Sequence, residues 1–168
     1  SVAIGSVSAT VSYCAKQNKR LGVLWFDAHA DFNTVATSPT KNVHGMSLAV
    51  LCGHTLSPWC FGPPLSPSHV LQYGVRDVDE LEAVRIQDMR LRQADTLDQV
   101  REWCAAYDAI HVTFDLDVFD PDVAPGVSTP VSGGIGRTEC MRIMRHLRQT
   151  EKIIAVDCVE LNPLNDQG

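Results

Sequence analysis

Four apolar runs of strand length, separated by helical segments, constrain the fold of this chain more than any other feature. The runs read LGVLWFDAH, SHVLQYGV, AIHVTFDLDV and KIIAVDCVEL, at residues 21–29, 68–75, 109–118 and 152–161. Helical periodicity is found at residues 3–17, 44–51, 78–89, 96–106 and 137–150. Strands that alternate with helices imply βαβ units, so the sequence predicts an α/β fold with a mostly parallel sheet covered on both faces. Gly/Pro-rich loops are predicted at residues 60–68 and 120–136.

Acidic residues follow all four predicted strands at the same end. Asp27 follows LGVLWF, Asp115 follows AIHVTF and Glu160 follows IIAVDCV. In open parallel sheets the carboxyl ends of the strands form the edge where ligands bind. Asp77 and Asp79 come after the second run and directly before a helical segment, so a helix N-cap is the alternative for either of them.

The stretch WFDAHADFNT places Asp27, His29 and Asp31 at every second position. In an extended chain this spacing directs the three side chains to one face. Asp115 and Asp117 show the same i, i+2 spacing. Four carboxylates and one imidazole are hard ligands that suit Mn, Mg, Fe or Co. They exceed what one ion needs, so the spacing predicts a two-metal cluster with bridging carboxylates. The alternative is that the two clusters are turn residues on separate loops.

Length, charge and cysteine usage exclude several classes of protein. The 168 residues match one domain, and the net charge of −6 argues against nucleic-acid binding. No apolar run reaches membrane-spanning length, so no membrane interaction is predicted. The six cysteines contain no CxxC pair, which argues against a structural zinc site and indicates a reducing, cytoplasmic location. A two-metal phosphoesterase would need more histidines and a basic phosphate clamp than this sequence offers.

Five motifs resemble those of the ureohydrolase family, which comprises arginases, agmatinases and their relatives. The motifs are DAHADFNT (27–34), NVHGM (42–46), GVRDVD (74–79), TFDLDVFDPDVAPGVSTPVSGG (113–134) and VELNP (159–163). They occur in the order in which the family carries them. The resemblance implies a three-layer α/β/α fold with a parallel sheet. It also implies a binuclear Mn²⁺ centre whose bridging hydroxide hydrolyses a guanidino compound to urea and an amine.

The resemblance assigns a role to each predicted metal ligand. Asp27 and Asp115 resemble the carboxylates that bridge both ions, and Asp31 resembles a ligand of the first ion. His29 and Asp117 resemble ligands of the second ion. These assignments imply two Mn²⁺ ions in each active site of the complete protein.

The resemblance also assigns catalytic and substrate-binding residues. Asp31, His44 and Glu160 make up the predicted catalytic group. Among these, His44 matches a proton-shuttling histidine, and Glu160 matches the carboxylate that holds the substrate guanidinium. The residues that resemble the arginase α-carboxylate and α-amino site are Asn33, Thr40, Asn42 and Asp79.

The choice of substrate depends on two loop segments. Lys41 stands where arginases have a glycine, and it either strengthens binding of a carboxylate or points to solvent. TPVSGG resembles the arginase form of its segment more than the agmatinase form. The prediction is therefore hydrolysis of L-arginine to ornithine and urea. The alternatives are an agmatinase or another guanidino-acid hydrolase, and a non-catalytic ureohydrolase-like subunit.

Residues 1–168 are expected to form a single ureohydrolase-type domain that is truncated at both ends. In the family a Gly-Gly-Asp-His sequence precedes the segment that resembles SVAIGSVSA, and its histidine completes the first metal site. This chain alone is thus expected to bind one ion well and the other weakly, with impaired hydrolysis. The full-length form is expected to be a homo-oligomer, a trimer or hexamer.

Overall fold

The computed structural model describes residues 2–55 and 62–166, so the first part of the predicted loop at 60–68 lies outside the described residues. Within these ranges, five strands and five α-helices follow one another: α1 (Val2–Lys16), β1 (Leu21–Phe26), α2 (Ser47–Leu51), β2 (Val70–Tyr73), α3 (Glu80–Asp88), β3 (Arg92–Ala94), α4 (Leu97–Ala105), β4 (Ala109–Asp115), α5 (Arg137–Thr150) and β5 (Ile153–Val159). None of the helices in the described ranges has the length and apolar character needed to cross a membrane.

The five strands form one sheet in the order β3-β2-β1-β4-β5, and every neighbouring pair is parallel. This arrangement confirms the predicted parallel sheet. β3 was not predicted, because its three residues are too few to show an alternating pattern and Arg92 and Gln93 are exposed. It pairs with β2 at the edge of the sheet, where a polar strand can remain in contact with water.

Apolar side chains cover both faces of the sheet, which confirms the three-layer arrangement. In the wholly buried strand β1, Val23 and Trp25 pack into a cluster with α1 and α2. Leu24 and Phe26 point to the opposite face and pack with residues of α4 and α5. Full burial of one such side chain contributes about 1.5–3 kcal/mol. Near-continuous apolar composition is what a strand needs when both of its faces are covered.

The two central strands end earlier than the sequence predicts. β1 ends at Phe26 rather than at residue 29, and β4 ends at Asp115, where the 3₁₀ turn Leu116–Val118 begins. Gly74 follows β2 with φ +92°, and a Cβ there would lie 2.5 Å from the Val118 side chain. A residue without a side chain is therefore required where the end of β2 meets the turn after β4. The early strand ends free the acidic segments to curve around a common cavity.

Candidate metal centre

Neighbouring strands bring the two acidic clusters to the same edge of the sheet. β1 and β4 pair in parallel, with Phe26 opposite Phe114, so Asp27 and Asp115 follow at the same level. Beyond the strand ends lies a cavity of about 380 Å³. All five predicted metal ligands line it: Asp27, His29, Asp31, Asp115 and Asp117. The two clusters lie on separate segments beyond the strand ends, but the structure brings them together, and the ligand roles stay predictions.

Three of these side chains form a compact group of donor atoms. His29 Nδ1 lies 3.0 Å from Asp117 Oδ2 and 3.4 Å from Asp27 Oδ1. One ligand atom from each of the three residues lies within 4.8 Å of the others. His29 Nε2 points the other way and lies 3.7 Å from Asp77 Oδ2. This carboxylate beside the outer nitrogen fits a ligand histidine, whose second nitrogen commonly donates to a carboxylate.

Hydrogen bonds from backbone amides fix the carboxylates of this group. Asp27 Oδ1 accepts from the backbone N–H of His29 at 2.7 Å, and Asp27 Oδ2 accepts from Trp25 Nε1 at 3.1 Å. Asp117 Oδ1 accepts from the Ala28 N–H at 3.0 Å. Asp115 Oδ1 accepts from the Asp117 N–H at 2.9 Å, within the 3₁₀ turn. The segment after β1 and the turn after β4 are therefore joined at Asp117, through the Ala28 amide.

The reason for the convergence of Asp27, His29 and Asp31 differs from the predicted one. The three residues do not alternate along one strand, because β1 ends before Asp27 and Asp31 adopts the left-handed conformation with φ +52°. The carbonyl of Asp31 accepts hydrogen bonds from the N–H groups of Leu48 at 2.9 Å and Ala49 at 3.2 Å. The start of α2 thus holds the chain where it bends. The prediction that these three residues share one face of a cavity is met, but the cause is a bend of the chain and not an extended strand.

Crowding and burial make the carboxyl groups of Asp27, Asp31 and Asp115 difficult to ionise. Burial is the main cause that raises the pKa of Asp27 to about 6 and that of Asp115 to about 9. The neighbouring Asp117 carboxylate adds to both shifts. Burial, followed by the charges of Asp27 and Asp115, raises the pKa of Asp31 well above its ordinary value. Without a bound cation, these groups therefore keep their protons to a higher pH than exposed aspartates do.

His29 and Asp117 form the one pair in this group whose charges compensate each other. The hydrogen bond to Asp117 is the largest cause that raises the pKa of His29 to about 11, followed by the hydrogen bond to Asp27. Burial alone would raise the pKa of Asp117, but its bonds to His29 and to the Ala28 amide outweigh burial and lower it. A divalent cation would replace the imidazolium proton, since ligand histidines are neutral.

The residues predicted to bind substrate lie on the adjoining wall. Asn33, Thr40, Asp79, His44 and Glu160 line the same cavity. Asn42 is exposed and is not among the lining residues; its backbone N–H donates to Thr40 Oγ1 at 3.2 Å. The structure therefore brings together all the predicted substrate residues except Asn42.

A buried carboxylate that was not predicted supports this wall. Glu82, 4 % exposed, accepts from the Phe32 N–H at 2.7 Å and from the Asp79 N–H at 3.4 Å. Asp79 occupies the N-cap position of α3, and its Oδ2 accepts from Asn33 Nδ2 at 2.8 Å. Asp79 is therefore both a helix cap and part of the cavity wall. The acidic residue three positions after an N-cap is a capping-box signature that could have revealed Glu82.

Lys41 turns away from the cavity. It is exposed, its Nζ donates to the Val35 carbonyl at 2.7 Å, and it is not among the lining residues. Its backbone adopts φ +61°, a conformation that favours glycine. The backbone at Lys41 therefore has a conformation typical of glycine, and its ammonium group donates a hydrogen bond within its own loop.

A model of the Arginase family matches residues 1–168. Arginase from Bacillus caldovelox is 39 % identical over 183 residues, and arginase from Bacillus subtilis is 36 % identical over 181 residues. Each match covers 99 % of this chain and 60 % of the relative, so the chain spans about 60 % of the length of these relatives.

Solved structures show the same similarity. The crystal structure of Entamoeba histolytica arginase in complex with L-ornithine matches this chain with a TM-score of 0.87 and 30 % sequence identity. The match covers 99 % of this chain and 61 % of that chain. The parallel sheet and the helices on its two faces are therefore shared with an experimentally determined structure of this family.

Proposed function

The chain belongs to the arginase family, and from this premise we propose that it hydrolyses L-arginine to L-ornithine and urea with Mn²⁺ as its cofactor. The observation that carries the proposal is the cavity at the strand ends, where Asp27, His29 and Asp117 already form a compact donor group. Asp31 and Asp115 line the same cavity. A scaffold has no need for five clustered polar ligands, because burying charges without partners is unfavourable.

The donor set fits two manganese ions. Carboxylate oxygens and one imidazole nitrogen are ligands that Mn²⁺ accepts, and burial raises the pKa values of Asp27 and Asp115, so a bound cation would favour their ionised forms. Asp27 and Asp115 would bridge the ions, Asp31 would bind the first, and His29 and Asp117 would bind the second. When bound, the two ions supply an activated water nucleophile and the positive charge that stabilises the developing negative charge.

The other side chains of the cavity would orient the substrate and supply a proton to the leaving amine. Glu160 lies at the cavity wall after β5, where its carboxylate would pair with the guanidinium and set the position of the reacting carbon. His44, at the exposed side of the cavity, would donate a proton to the leaving amine. Asp79 would accept from the α-amino group, and Asn33 and Thr40 would donate to the α-carboxylate.

The choice of L-arginine is supported by the relatives and by the polar wall. The Entamoeba histolytica arginase structure holds L-ornithine, which carries both the α-amino and the α-carboxylate group. In this chain the Asn33 side chain is held between Asp79 and Thr37, with Thr37 Oγ1 2.9 Å from Asn33 Oδ1. A rigid polar wall suits a substrate that carries both an α-amino and an α-carboxylate group. We also propose that the full-length protein is a homo-oligomer.

Urea release tests the proposal. The full-length gene product, loaded with Mn²⁺, is assayed on L-arginine and agmatine side by side, with Glu160→Gln as a variant. Glu151→Gln is the matched control, because Glu151 is exposed and precedes β5, whereas Glu160 follows it. We expect urea from arginine, a loss of activity in Glu160→Gln and no loss in Glu151→Gln. Urea from agmatine alone would overturn the substrate but keep the chemistry. No urea from either compound, with Mn²⁺ bound, would favour another guanidino substrate or a non-catalytic subunit.

A further inference from the structure

Arg76 makes more contacts around the cavity than any role in metal or substrate binding explains. Its guanidinium donates to six backbone carbonyl oxygens at 2.7–3.3 Å: those of Gly74, Asp117, Val118, Phe119, Val131 and Ser132. The side chain is half-buried, and Arg76 is not among the residues that line the cavity. A guanidinium carries five N–H groups in a planar fork, so some of these bonds share a hydrogen.

Five of the six carbonyl groups belong to two segments next to the cavity, and the sixth is that of Gly74, at the end of β2. Residues 117–119 form the turn after β4 that carries the predicted ligand Asp117. Residues 131–132 follow Ser128 and Thr129, which line the cavity. Thr129 Oγ1 donates to Asp117 Oδ2 at 3.4 Å, so the two segments also meet at the ligand itself. Arg76 Nη2 joins them directly, at 2.8 Å from the Asp117 carbonyl and 2.7 Å from the Val131 carbonyl.

The backbone of Arg76 adds a third segment. Its N–H donates to the Ala28 carbonyl at 2.8 Å, and the Asp77 N–H donates to the same oxygen at 3.0 Å. Ala28 lies between the predicted ligands Asp27 and His29. One residue therefore connects the ends of β1, β2 and β4 and the loop that covers them.

We propose that Arg76 is a positioning residue that holds the Asp117 turn and the 128–132 loop against the segment carrying Asp27 and His29. Arginine suits this role because its donors spread over a plane and reach several carbonyl groups at once, whereas lysine concentrates its donors at one point. The far end of the loop has its own anchor: Asp120 Oδ2 accepts from the N–H groups of Gly133 at 2.8 Å and Gly134 at 3.3 Å. Residues 118–120 are also held by their backbone pairing with Ile135, so loss of Arg76 should loosen residues 128–132 most.

The test is Mn²⁺ titration calorimetry and hydrogen exchange of the full-length gene product. Arg76→Met removes the fork and keeps much of the aliphatic stem, and Arg76→Lys keeps the charge. Arg101→Met is the matched control, because Arg101 is half exposed on α4 and pairs with Asp98, away from the cavity. The inference rests on the metal centre of the proposed function, but neither measurement requires urea release.

We expect Arg76→Met to weaken Mn²⁺ binding by about 10–100-fold, the usual effect of losing a residue that orients ligands. We also expect faster amide exchange, largest in residues 128–132, a smaller effect in Arg76→Lys and none in Arg101→Met. Unchanged Mn²⁺ affinity and exchange in a folded Arg76→Met variant would overturn the inference. Failure of both Arg76 variants to fold would also overturn it, since Arg76 would then support the fold as a whole. If the wild-type protein bound no Mn²⁺, the proposed function would fail, and the exchange comparison would decide the role of Arg76.

Discussion

In the proposed assignment, the two halves of the candidate metal centre share Asp27 and Asp115 but differ in the source of their compensating charge. The His29 half adds His29 and Asp117, whose side chains contact each other at 3.0 Å. The Asp31 half adds Asp31, whose pKa burial and the nearby carboxylates raise well above its ordinary value. The first half contains a cation of its own, the protonated imidazole, whereas the second half consists of acids.

This difference indicates how the site assembles. The His29 half is already ordered by the Asp117 contact and by the backbone N–H donors of Ala28 and His29, so an ion that binds there meets ligands close to their final positions. In the Asp31 half, the charge of His29 lowers the pKa of Asp31 but burial and the neighbouring carboxylates outweigh it, so further compensating charge comes from an incoming ion. We therefore expect the ion in the His29 half to bind more tightly, since preorganised ligands lose less entropy on binding.

Replacement of a carboxylate shared by both halves should have the largest effect. In Asp115→Asn we expect Mn²⁺ affinity at both positions to fall by more than the roughly 100-fold that loss of an orienting residue causes. Urea release should fall with it. The metal-free variant should nevertheless unfold at a higher temperature than the wild type, because a buried carboxyl with a pKa of about 9 has been removed.

Calorimetry and thermal unfolding measure both effects, and Asp98→Asn is the control, since the Asp98 side chain is 87 % exposed on α4. An Asp115→Asn protein that still binds two ions would show that Asp115 is not shared between the halves.

The pH dependence of stability should separate the metal-free protein from the metal-bound one. Raised carboxyl pKa values mean that the folded state holds these protons more tightly than the unfolded state. The stability that Asp27 and Asp115 contribute is therefore fully present below pH 3.8, their ordinary pKa. It is lost as the pH rises to about 6 for Asp27 and to about 9 for Asp115. His29 acts in the same direction between 6.5 and about 11. The lowered pKa of Asp117 acts in the opposite direction, and only near its ordinary value of 3.8.

Between about pH 5 and about pH 9, we therefore expect the Tm of the metal-free protein to fall by several degrees, given about 2–4 °C per kcal/mol for this size. Saturating Mn²⁺ should reverse the slope, because metal binding needs deprotonated ligands. Differential scanning calorimetry measures both curves. A metal-free Tm that rises over this range would mean that the cavity carboxyls are ionised without a metal.

The smallest effect is expected at Lys41, which lies outside both halves. Lys41→Gly should raise the Tm by a few degrees, because a left-handed backbone costs a residue other than glycine about 1–2 kcal/mol. Lys41→Ala keeps the strain and removes the charge, so it should not show this gain. Neither change should alter the Mn²⁺ affinity or the KM for arginine. A large rise in KM in both variants would show that Lys41 leaves the Val35 carbonyl to bind the substrate carboxylate.

The fold was largely predictable because its central strands are buried on both faces. β1 is a continuous apolar run, a pattern typical of a covered parallel sheet, and all seven residues of β4 are buried. The strand ends were harder to predict, since Asp27 to Asp31 look extended in sequence and leave the sheet in the structure. β3 was missed because three residues with two exposed polar side chains carry no periodic signal.

The residues of the cavity were predictable where they repeat a local spacing. They were not predictable where long-range contacts place them. Two i, i+2 patterns after neighbouring strands indicated the five acidic and imidazole side chains. No local pattern reveals that Glu82 accepts the Phe32 N–H, 50 residues away, or that Arg76 donates to the Val131 carbonyl, 55 residues away. Such contacts form only when the loops are packed, so a single sequence does not contain them as a pattern.

The most direct test of the two unequal halves is Mn²⁺ titration calorimetry of this chain, compared with His29→Asn and Asp31→Asn. We predict two binding events of unequal affinity in the wild type. His29→Asn should remove the tighter event, and Asp31→Asn should remove the weaker one and leave the tighter one unchanged. Two events of equal affinity, or loss of the tighter event in Asp31→Asn, would contradict the account.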